Sequence, residues 1–323
     1  MRRRWTITIL ALLIGLFAVP VAAHAQLRTV KVAATSKDVI DNLPLFVGVH
    51  QGFFEEVGLK LDISYFRGGG EVVRAITTRS VDIGATPAAS AVLIAFARGE
   101  PLRIVSGSAA PIFGVVWVVS ADSPMRFVKD LKGKKVGFST PGSVTHTVIQ
   151  SILRDEKLDK DVQLVRVGSP GDGWAALKNK VVDATWHVSP AVYNLILQKE
   201  ARILFDPSDY IKDYQQTVVT VMEDVANRDP EMIRSFLKAR AKAVSFIGRN
   251  PGRTIAIWAE ELKLPVEAVS LAHKDLKVEY YEVGAPREAN MRGTLKEVME
   301  SGAVKEPVDF NKLIDTRFLP LPK

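Results

Sequence analysis

Short turns that follow predicted strands carry the residues best suited to hold a small solute. The turn from Ser36 to Pro44 offers the Ser36 hydroxyl and the side-chain amide of Asn42. In Gly68-Gly69-Gly70, centred on Gly69, the absence of side chains would let a ligand approach the backbone. Thr86 opens a third turn of the same kind. In open α/β sheets ligands bind beyond the carboxyl ends of the strands, where these turns are predicted to lie.

A fourth turn, Ser139 to Ser143, opens a predicted helix. Its candidate residues are Thr140, Ser143, Thr145 and His146. Helix starts present unpaired N–H groups and a partial positive charge, so they hold anions without a buried lysine. The four turns together therefore predict a site for a small anion in one cleft.

Each of these turns also has a purely structural interpretation. Gly68–Gly70 is not followed by the Gly-Lys-Ser/Thr of a phosphate loop, so by itself it reads as a tight turn. The Ser139 and Ser143 hydroxyls would serve equally well as helix caps. Their shared position at strand ends facing one cleft is what favours binding.

A fifth turn follows Trp186 and His187, which end another predicted strand. Because side chains alternate along a strand, one should face the sheet and the next the cleft. Trp186 is then either buried under a helix or part of a wall against the solute, a role also open to His187. Protonated His187 or His146 would favour a carboxylate or sulfonate. Arg67 is the nearest candidate cation, and whether it faces the cleft is open.

The sequence gives little support for catalysis or for metal binding. The chain has no cysteine, which removes cysteine nucleophiles, thiolate metal sites and disulfides. Among the five histidines, none outside the first 25 residues pairs with another at an i, i+4 ligand spacing. No Gly-x-Ser-x-Gly elbow occurs. We therefore expect no catalytic residue, no metal and no cofactor.

The first 25 residues have the pattern of an export signal. Arg2 to Arg4 form a charged start, Ile7 to Val19 an apolar run too short for a normal membrane span, and Ala23-His24-Ala25 a cleavage site. Cleavage would leave Gln26 as the first residue. The sequence thus predicts a soluble periplasmic protein, which the absence of cysteine fits.

The charge of the chain excludes a nucleic-acid surface. The formal net charge is +7, and without the three leader arginines 40 basic residues stand against 36 acidic ones, or +4. The lysines are scattered rather than clustered with aromatic residues, as nucleic-acid binding would require.

The elements that position these turns alternate between short apolar runs and helical patterns, which predicts parallel sheets covered by helices. A mature chain of 298 residues suggests two lobes. Residues 26–112 plus 221–323 are expected to form the first lobe and residues 113–220 the second, joined by two hinge crossings. The expected elements include strands Leu59–Phe66, Leu102–Ser106 and Thr217–Met222 and helices Glu71–Arg79 and Trp174–Lys178.

Two segments resemble a known family. Leu43 to Leu61 reads as a Leu-Pro helix start, then Gly-Phe-Phe, then Gly-Leu before a strand, and Asp130-Leu-Lys-Gly-Lys precedes another strand. Both resemble the periplasmic solute-binding proteins of nitrate, sulfonate and taurine importers, and also those that bind thiamine-pyrimidine precursors. The resemblance covers essentially the whole mature chain.

The resemblance implies an α/β, two-lobed type II periplasmic binding protein, each lobe a mostly parallel sheet flanked by helices, with a two-strand hinge. It implies a monomeric, non-enzymatic receptor that delivers a small solute to the membrane permease of an ABC importer. It also implies solute contacts at matching positions of the turns, namely Ser36, Asn42, Gly69, Thr86, Thr140, Ser143 and Thr145.

Two alternatives come with the resemblance. Enzymes that make the thiamine pyrimidine precursor resemble this family, but they are cytosolic and rely on a cysteine-rich motif and a cofactor lysine. The chain could instead be the receptor component of a sensor system. Nitrate, sulfonates, taurine, aromatic or other carboxylates and pyrimidine precursors all stay open as the solute.

Overall fold

The structure is a computed structural model that describes residues 26–319. The expected leader, residues 1–25, lies outside the described residues. The strands are β1 (Arg28–Thr35), β2 (Leu59–Phe66), β3 (Ile83–Gly84), β4 (Leu102–Ala109), β5 (Val115–Ser120), β6 (Lys135–Phe138), β7 (Gln163–Arg166), β8 (Thr185–Val188), β9 (Ala201–Phe205) and β10 (Thr217–Met222).

Helices cover these strands and connect most of them. They are α1 (Leu43–His50), α2 (Gly69–Thr77), α3 (Ala89–Ala97), α4 (Val144–Asp155), α5 (Pro170–Lys178), α6 (Ala191–Leu197), α7 (Glu223–Arg228), α8 (Pro230–Arg249), α9 (Pro251–Leu262), α10 (Val266–Asp275), α11 (Glu288–Glu300) and α12 (Phe310–Leu313). Within residues 26–319 no helix is both long enough and apolar enough to span a membrane.

The first sheet has the strand order β2-β1-β3-β10-β4. β1 runs parallel to β2 and β3, whereas β10 runs antiparallel to β3 and β4. Val32 and Ala33 of β1 point to opposite faces of the sheet and are both fully buried, because helices cover both faces of a parallel sheet.

The second sheet is built in the same way. β5 pairs antiparallel with β8 and β9, β6 pairs parallel with β7, and a parallel bridge from Val136 to Ala184 connects β6 to the start of β8. Each sheet therefore holds four strands of one direction and one antiparallel strand. This confirms the predicted α/β fold with mostly parallel sheets.

The chain passes between the two sheets twice, and these two connections are called the crossings. After β4 the chain passes through residues 110–114 into β5 of the second sheet, and it returns through residues 206–216 into β10 of the first. Thr217 pairs with Ala109 and Met222 with Leu102, so β10 lies wholly in the first sheet. A lobe boundary at residue 220 would cut this strand, and we place the boundary before Thr217. The lobe ranges themselves stay a proposal.

The Gly-Phe-Phe segment anchors the C-terminal helices. Phe54 packs on Phe236 of α8 with ring centroids 5.5 Å apart, and Phe53 packs on Phe246 at 5.8 Å. Gly48 permits this packing, since a Cβ there would lie 2.5 Å from the Phe54 ring. The motif therefore joins α1 to a helix that arrives almost two hundred residues later in the chain.

Candidate functional site

A small cavity lies where the turns of the two sheets meet. It has a volume of about 40 Å³, enough for a few water molecules. The first lobe contributes the turn after β1, the start of α2 and the residues just before β10. The second lobe contributes the start of β5, the start of α4 with the turn before it, and Trp186 of β8. Below, this space is called the cleft cavity.

Three helices begin at the cleft cavity. Gly68 is the N-cap of α2, Ala88 that of α3 and Ser143 that of α4, and all three line the cavity. The first N–H groups of a helix have no intrahelical acceptor and carry a partial positive charge. Helix starts from both lobes, two from the first and one from the second, therefore face the same small space.

Three hydroxyls of the second lobe line the cavity as a hydroxyl cluster of Ser139, Ser143 and Thr145. The Ser139 hydroxyl donates to Ser143 Oγ over 2.8 Å and lies 2.8 Å from Thr145 Oγ1. Ser143 Oγ also accepts from the His146 backbone N–H at 3.2 Å. Ser143 is thus a helix cap and a cavity residue at once, so the binding and capping interpretations both stay open.

Thr140, in the same turn, is placed differently. It is buried but does not line the cleft cavity, and its hydroxyl lies against Gly68 of the other lobe. Among residues 26–319 this hydroxyl has no hydrogen-bond partner. Contact with the solute therefore remains a prediction for Thr140 that the closed cavity does not display.

In the first lobe Ser36 and Gly69 line the cavity, while Asn42 and Thr86 lie behind it. The Asn42 amide donates to the carbonyls of Thr35 and Ser36, at 3.1 and 2.9 Å. Thr86 Oγ1 donates to Asn42 Oδ1 and accepts from the Thr35 N–H. These two side chains hold the turn that presents Ser36, and they do not face the cavity themselves.

Trp186 lines the cavity and is only 3% exposed. Its indole N–H has no acceptor among the described residues. Buried indole groups usually find a partner, so a donor in this position suits a bound anion. Of the two interpretations of Trp186, the structure favours the wall of the cleft.

The two histidines do not line the cleft cavity. His187 points to the opposite face of the second sheet from Trp186, beside Val116, and burial lowers its pKa to about 4. His146 lies on Phe138 with ring centroids 4.4 Å apart, and burial lowers its pKa as well. Burial disfavours the charged forms of both rings. Attraction of an anion by either histidine stays a prediction, and the lowered pKa values count against it in this conformation.

Asp41, Gln216 and Thr217 form a hydrogen-bonded group at the cavity and were not among the candidate residues from the sequence. Asp41 is 2% exposed, and its carboxylate accepts from Gln216 Nε2 at 2.7 Å and from Thr217 Oγ1 at 2.8 Å. Burial raises the pKa of Asp41 to about 6. The only local signal was a polar pair, Gln215-Gln216, directly before an apolar strand.

Arg67 lines the cavity, while most of its side chain reaches solvent. Its Nε lies 3.9 Å from Asp172 of the second lobe. Of the described residues, Arg67 and Asp41 are the two charged side chains that line the cavity. No group of three potential metal ligands occurs within residues 26–319.

Comparison with known proteins bears on this site. A family model described as "NMT1/THI5 like" matches residues 40–254. A protein of Escherichia coli K12, provisionally named an aliphatic sulfonates-binding protein, is 27% identical over 207 residues. That match covers 64% of this chain and 63% of the relative, which is less than two thirds of its length. A Haemophilus influenzae protein, provisionally named a thiamine biosynthesis protein, is 27% identical over 73% of this chain and 74% of its own.

Among solved structures, the alkanesulfonate-binding protein SsuA of Xanthomonas axonopodis pv. citri, bound to MOPS, has a TM-score of 0.77. The two are 20% identical, and the match covers 89% of this chain and 98% of that chain. At this level of identity the likeness establishes the fold.

Proposed function

Because this chain belongs to the NMT1/THI5-like family and has the fold of periplasmic binding proteins, we propose that it is the solute receptor of an ABC importer. The observation that carries the proposal is the cleft cavity, where helix starts from two lobes face one small space. A receptor needs such a site, since the solute must touch both lobes to hold them together.

The proposed solute is a small organic anion such as a sulfonate or carboxylate. The starts of α2 and α4 and the hydroxyl cluster supply donors for an acidic group. Trp186 supplies an indole N–H and an apolar ring for the rest of the molecule. A cavity of about 40 Å³ has room for a compact group in this conformation. The sulfonate-binding names of two relatives agree with this chemistry.

Closure of the cleft would create the surface that a membrane permease recognises. Contacts between the lobes already exist here, since the Ser90 hydroxyl donates to the Gly142 carbonyl at 2.9 Å and Arg166 pairs with Glu71 at 2.8 Å. A solute that binds more tightly to this arrangement than to an open one shifts the population toward it. The chain would thus act by changing shape and release its solute unchanged.

An enzyme on the same fold is the weaker alternative. The pyrimidine-precursor synthases that resemble this family rely on a cysteine-rich motif, and this sequence contains no cysteine. A receptor returns its solute chemically unchanged, whereas an enzyme would alter it. Mass spectrometry of the solute released from the protein distinguishes the two.

Export is part of the same proposal. Cleavage after Ala25 would leave Gln26 as the first residue of the periplasmic protein. The intact mass of protein recovered from periplasm measures this directly. A mass that retains residues 1–25 would contradict it.

A thermal-shift panel of nitrate, alkanesulfonates and small carboxylates tests the binding function. At one hundred times its dissociation constant, a true ligand stabilises the protein by about 2.7 kcal/mol. Trp258 of α9 is the matched control for Trp186, because both side chains are buried and neither indole N–H has an acceptor within residues 26–319. We expect Trp186→Phe to weaken binding at least tenfold and Trp258→Phe to leave the affinity unchanged.

The panel can also contradict the proposal. If no organic or inorganic anion shifts the melting temperature, the chain is not a receptor for small anions. If both tryptophan variants lose affinity equally, binding does not occur in the cleft cavity.

A further inference from the structure

A second cavity lies behind the crossings, on their far side from the cleft. Its volume is about 430 Å³, whereas that of the cleft cavity is about 40 Å³. Residues 111–114 of the first crossing line it, together with Asp206, Ser208, Ile211 and Lys212 of the second. This space is called the hinge cavity below. Its size falls in the range of sites that hold organic molecules.

The two cavities lie on opposite sides of the hinge. At the start of β5, Val115 lines the cleft cavity and Val116 lines the hinge cavity. Successive side chains of a strand point to opposite faces of the sheet, so β5 separates the two spaces. Asp41 and Ile40 divide in the same way, with Asp41 on the cleft side. The crossings therefore lie between a small cavity and a large one.

Helices of both lobes meet beside the hinge cavity. α6 packs on β8 and β9 of the second sheet, and α10 packs on α9, which packs on α1 of the first lobe. The two helices contact each other, and the Tyr193 hydroxyl of α6 donates to the Asp275 carboxylate of α10. Because the crossings lie between the cleft and these helices, a rotation that opens the cleft presses α6 and α10 together. Such a rotation takes space from the hinge cavity.

The walls of the hinge cavity are mainly apolar and come from both lobes. Val116 and Val192 belong to the second lobe and Leu276 to the first. Phe113 of the first crossing meets Tyr280 edge-on, with ring centroids 5.4 Å apart, and both rings line the cavity. These walls suit a molecule with a bulky apolar body, because the removal of apolar surface from water is favourable.

Two exposed lysines line the hinge cavity and have no acidic partner. Lys212 donates to the Ser208 carbonyl at 2.6 Å, and Lys277 Nζ lies 5.4 Å from the centre of the Tyr280 ring. Neither ammonium group forms an ion pair within residues 26–319. An ammonium group has three N–H donors, so both lysines retain donors for an anion.

The two carboxylates that line the hinge cavity have donors within the protein. Asp275 accepts from the Tyr193 hydroxyl, and Asp206 accepts from the Ser208 backbone N–H at 2.8 Å, at the turn that follows β9. The lining thus holds two positive and two negative side chains, and the lysines supply the free donors. An acidic group that enters the cavity would bind to them.

We propose that the hinge cavity is a second binding site, which takes an organic anion with a bulky apolar body and holds the cleft closed when it is occupied. The walls would cover the apolar body, and Lys212 and Lys277 would donate to the acidic group. An occupied cavity resists the approach of α6 and α10, so the bound molecule favours the closed form. By linkage, this molecule and the solute then strengthen each other's binding by the same factor. The coupling rests on the proposed function, whereas the binding itself does not.

Naphthalene-2-carboxylate is the probe, and naphthalene-2-carboxamide is its uncharged counterpart. Isothermal titration with the exported protein measures both dissociation constants. We expect the carboxylate to bind at least tenfold more tightly than the carboxamide. Lys212→Gln and Lys277→Gln should each weaken its binding at least threefold. Lys274→Gln is the matched control and should leave the affinity unchanged, because Lys274 is an exposed residue of α10 that does not line the hinge cavity.

Two measurements separate the hinge cavity from the cleft. Trp186→Phe, which alters the cleft cavity, should leave the binding of naphthalene-2-carboxylate unchanged. Saturating naphthalene-2-carboxylate should tighten the binding of ethanesulfonate at least threefold, and by itself it should reduce the radius of gyration measured by X-ray scattering. A molecule bound in the cleft would compete with ethanesulfonate instead.

The outcomes separate this inference from the receptor function. Equal binding of the two naphthalene compounds, affinities that Lys212→Gln and Lys277→Gln leave unchanged, or competition with ethanesulfonate overturns the second site and leaves the receptor proposal standing. An unchanged radius of gyration overturns the coupling. If naphthalene-2-carboxylate binds as expected and no anion of the thermal-shift panel does, the receptor function falls while the second site stands.

Discussion

Ser143 and Thr140 lie in one turn, but their hydroxyls have different partners. Ser143 caps α4 through the His146 N–H, whereas Thr140 has no partner among residues 26–319. We expect Ser143→Ala to lower the free energy of unfolding by ~1 kcal/mol, as loss of a cap does. Thr140→Val, which removes a hydroxyl without a bond, should change it by less than about 0.5 kcal/mol. Urea unfolding of both variants measures the difference.

The dissociation constants of the same two variants decide between capping and binding. If Ser143 also contacts a charged solute, its loss removes a bond worth roughly 1.5–3 kcal/mol, or about tenfold or more in affinity. Early unfolding with normal affinity would show that Ser143 is a cap alone.

His187 predicts how stability depends on pH. Its folded pKa of about 4 lies below the ordinary value of 6.5, so its contribution to stability is complete above pH 6.5 and is lost as the pH falls toward 4. Between pH 7.5 and 5 the unmodified protein should lose on the order of 2 kcal/mol more than His187→Gln. The raised pKa values of Asp38 and Asp41 act in the opposite direction, but they are common to both proteins. Parallel curves would mean that His187 gains a proton while the protein stays folded.

The sequence indicated which turns meet, and not which side chains face the cavity. Ser36 and Asn42 were equally good candidates, because both are polar and follow the same strand. In the structure Asn42 turns back to bond the Thr35 and Ser36 carbonyls, while Ser36 lines the cavity. Asp41 was missed because its two donors, Gln216 and Thr217, lie 175 and 176 residues further along the chain. A choice between local and long-range partners cannot be read from spacing alone.

At the level of elements, the start of α2 packs closely against the residues just before α3. A Cβ on Gly69 would lie 2.5 Å from the Ala88 backbone nitrogen, just before α3. We expect Gly69→Ala to destabilise the protein by about 1–3 kcal/mol, because two backbones must move apart. Gly171 is the control, since nothing lies within 4 Å of a Cβ there in the first turn of α5. Gly171→Ala should be neutral or slightly stabilising.

Calorimetric melting of both glycine variants checks this prediction. Equal melting temperatures for the two would mean that α2 and α3 move apart freely and that the approach at Gly69 is not required. A lower melting temperature for Gly69→Ala alone supports the close contact.

Element bounds were predicted best where the apolar pattern is continuous. Leu59–Phe66 and Thr217–Met222 are strands over the predicted residues. By contrast α5 begins at Pro170 rather than at Trp174, because Ser169 caps it together with Asp172. Proline in the first turn and a serine cap are start signals that outweigh the weak apolar pattern of the residues between.

At the scale of the whole molecule, ion pairs between the lobes should assist closure. Glu71 of α2 pairs with Arg166 at the end of β7, and both side chains are partly exposed. A pair of this kind is worth at most about 1 kcal/mol and is screened by salt. We expect Glu71→Gln to raise the dissociation constant of the solute by up to about fivefold, and the effect should disappear in ~1 M salt. Titration at two salt concentrations measures it.

The control for Glu71 is Glu288→Gln, whose partner Arg292 lies on the same helix. This change should leave the affinity unaltered at either salt concentration. X-ray scattering supplies the second readout, since saturating solute should reduce the radius of gyration. An unchanged scattering profile would argue for a rigid binding module.

The position of β10 has a consequence for how the chain is made. β10 separates β3 from β4 in the first sheet, yet it is synthesised roughly a hundred residues after β4 ends. A nascent chain that has reached Ala109 therefore holds four of the five strands, but β4 still lacks the strand that connects it to β3. Pairings between distant residues form slowly because a long loop must close first. The late position of β10 thus delays completion of the first sheet until Met222 has been synthesised, a delay that would suit the export proposed above, since a chain crosses a secretion channel unfolded.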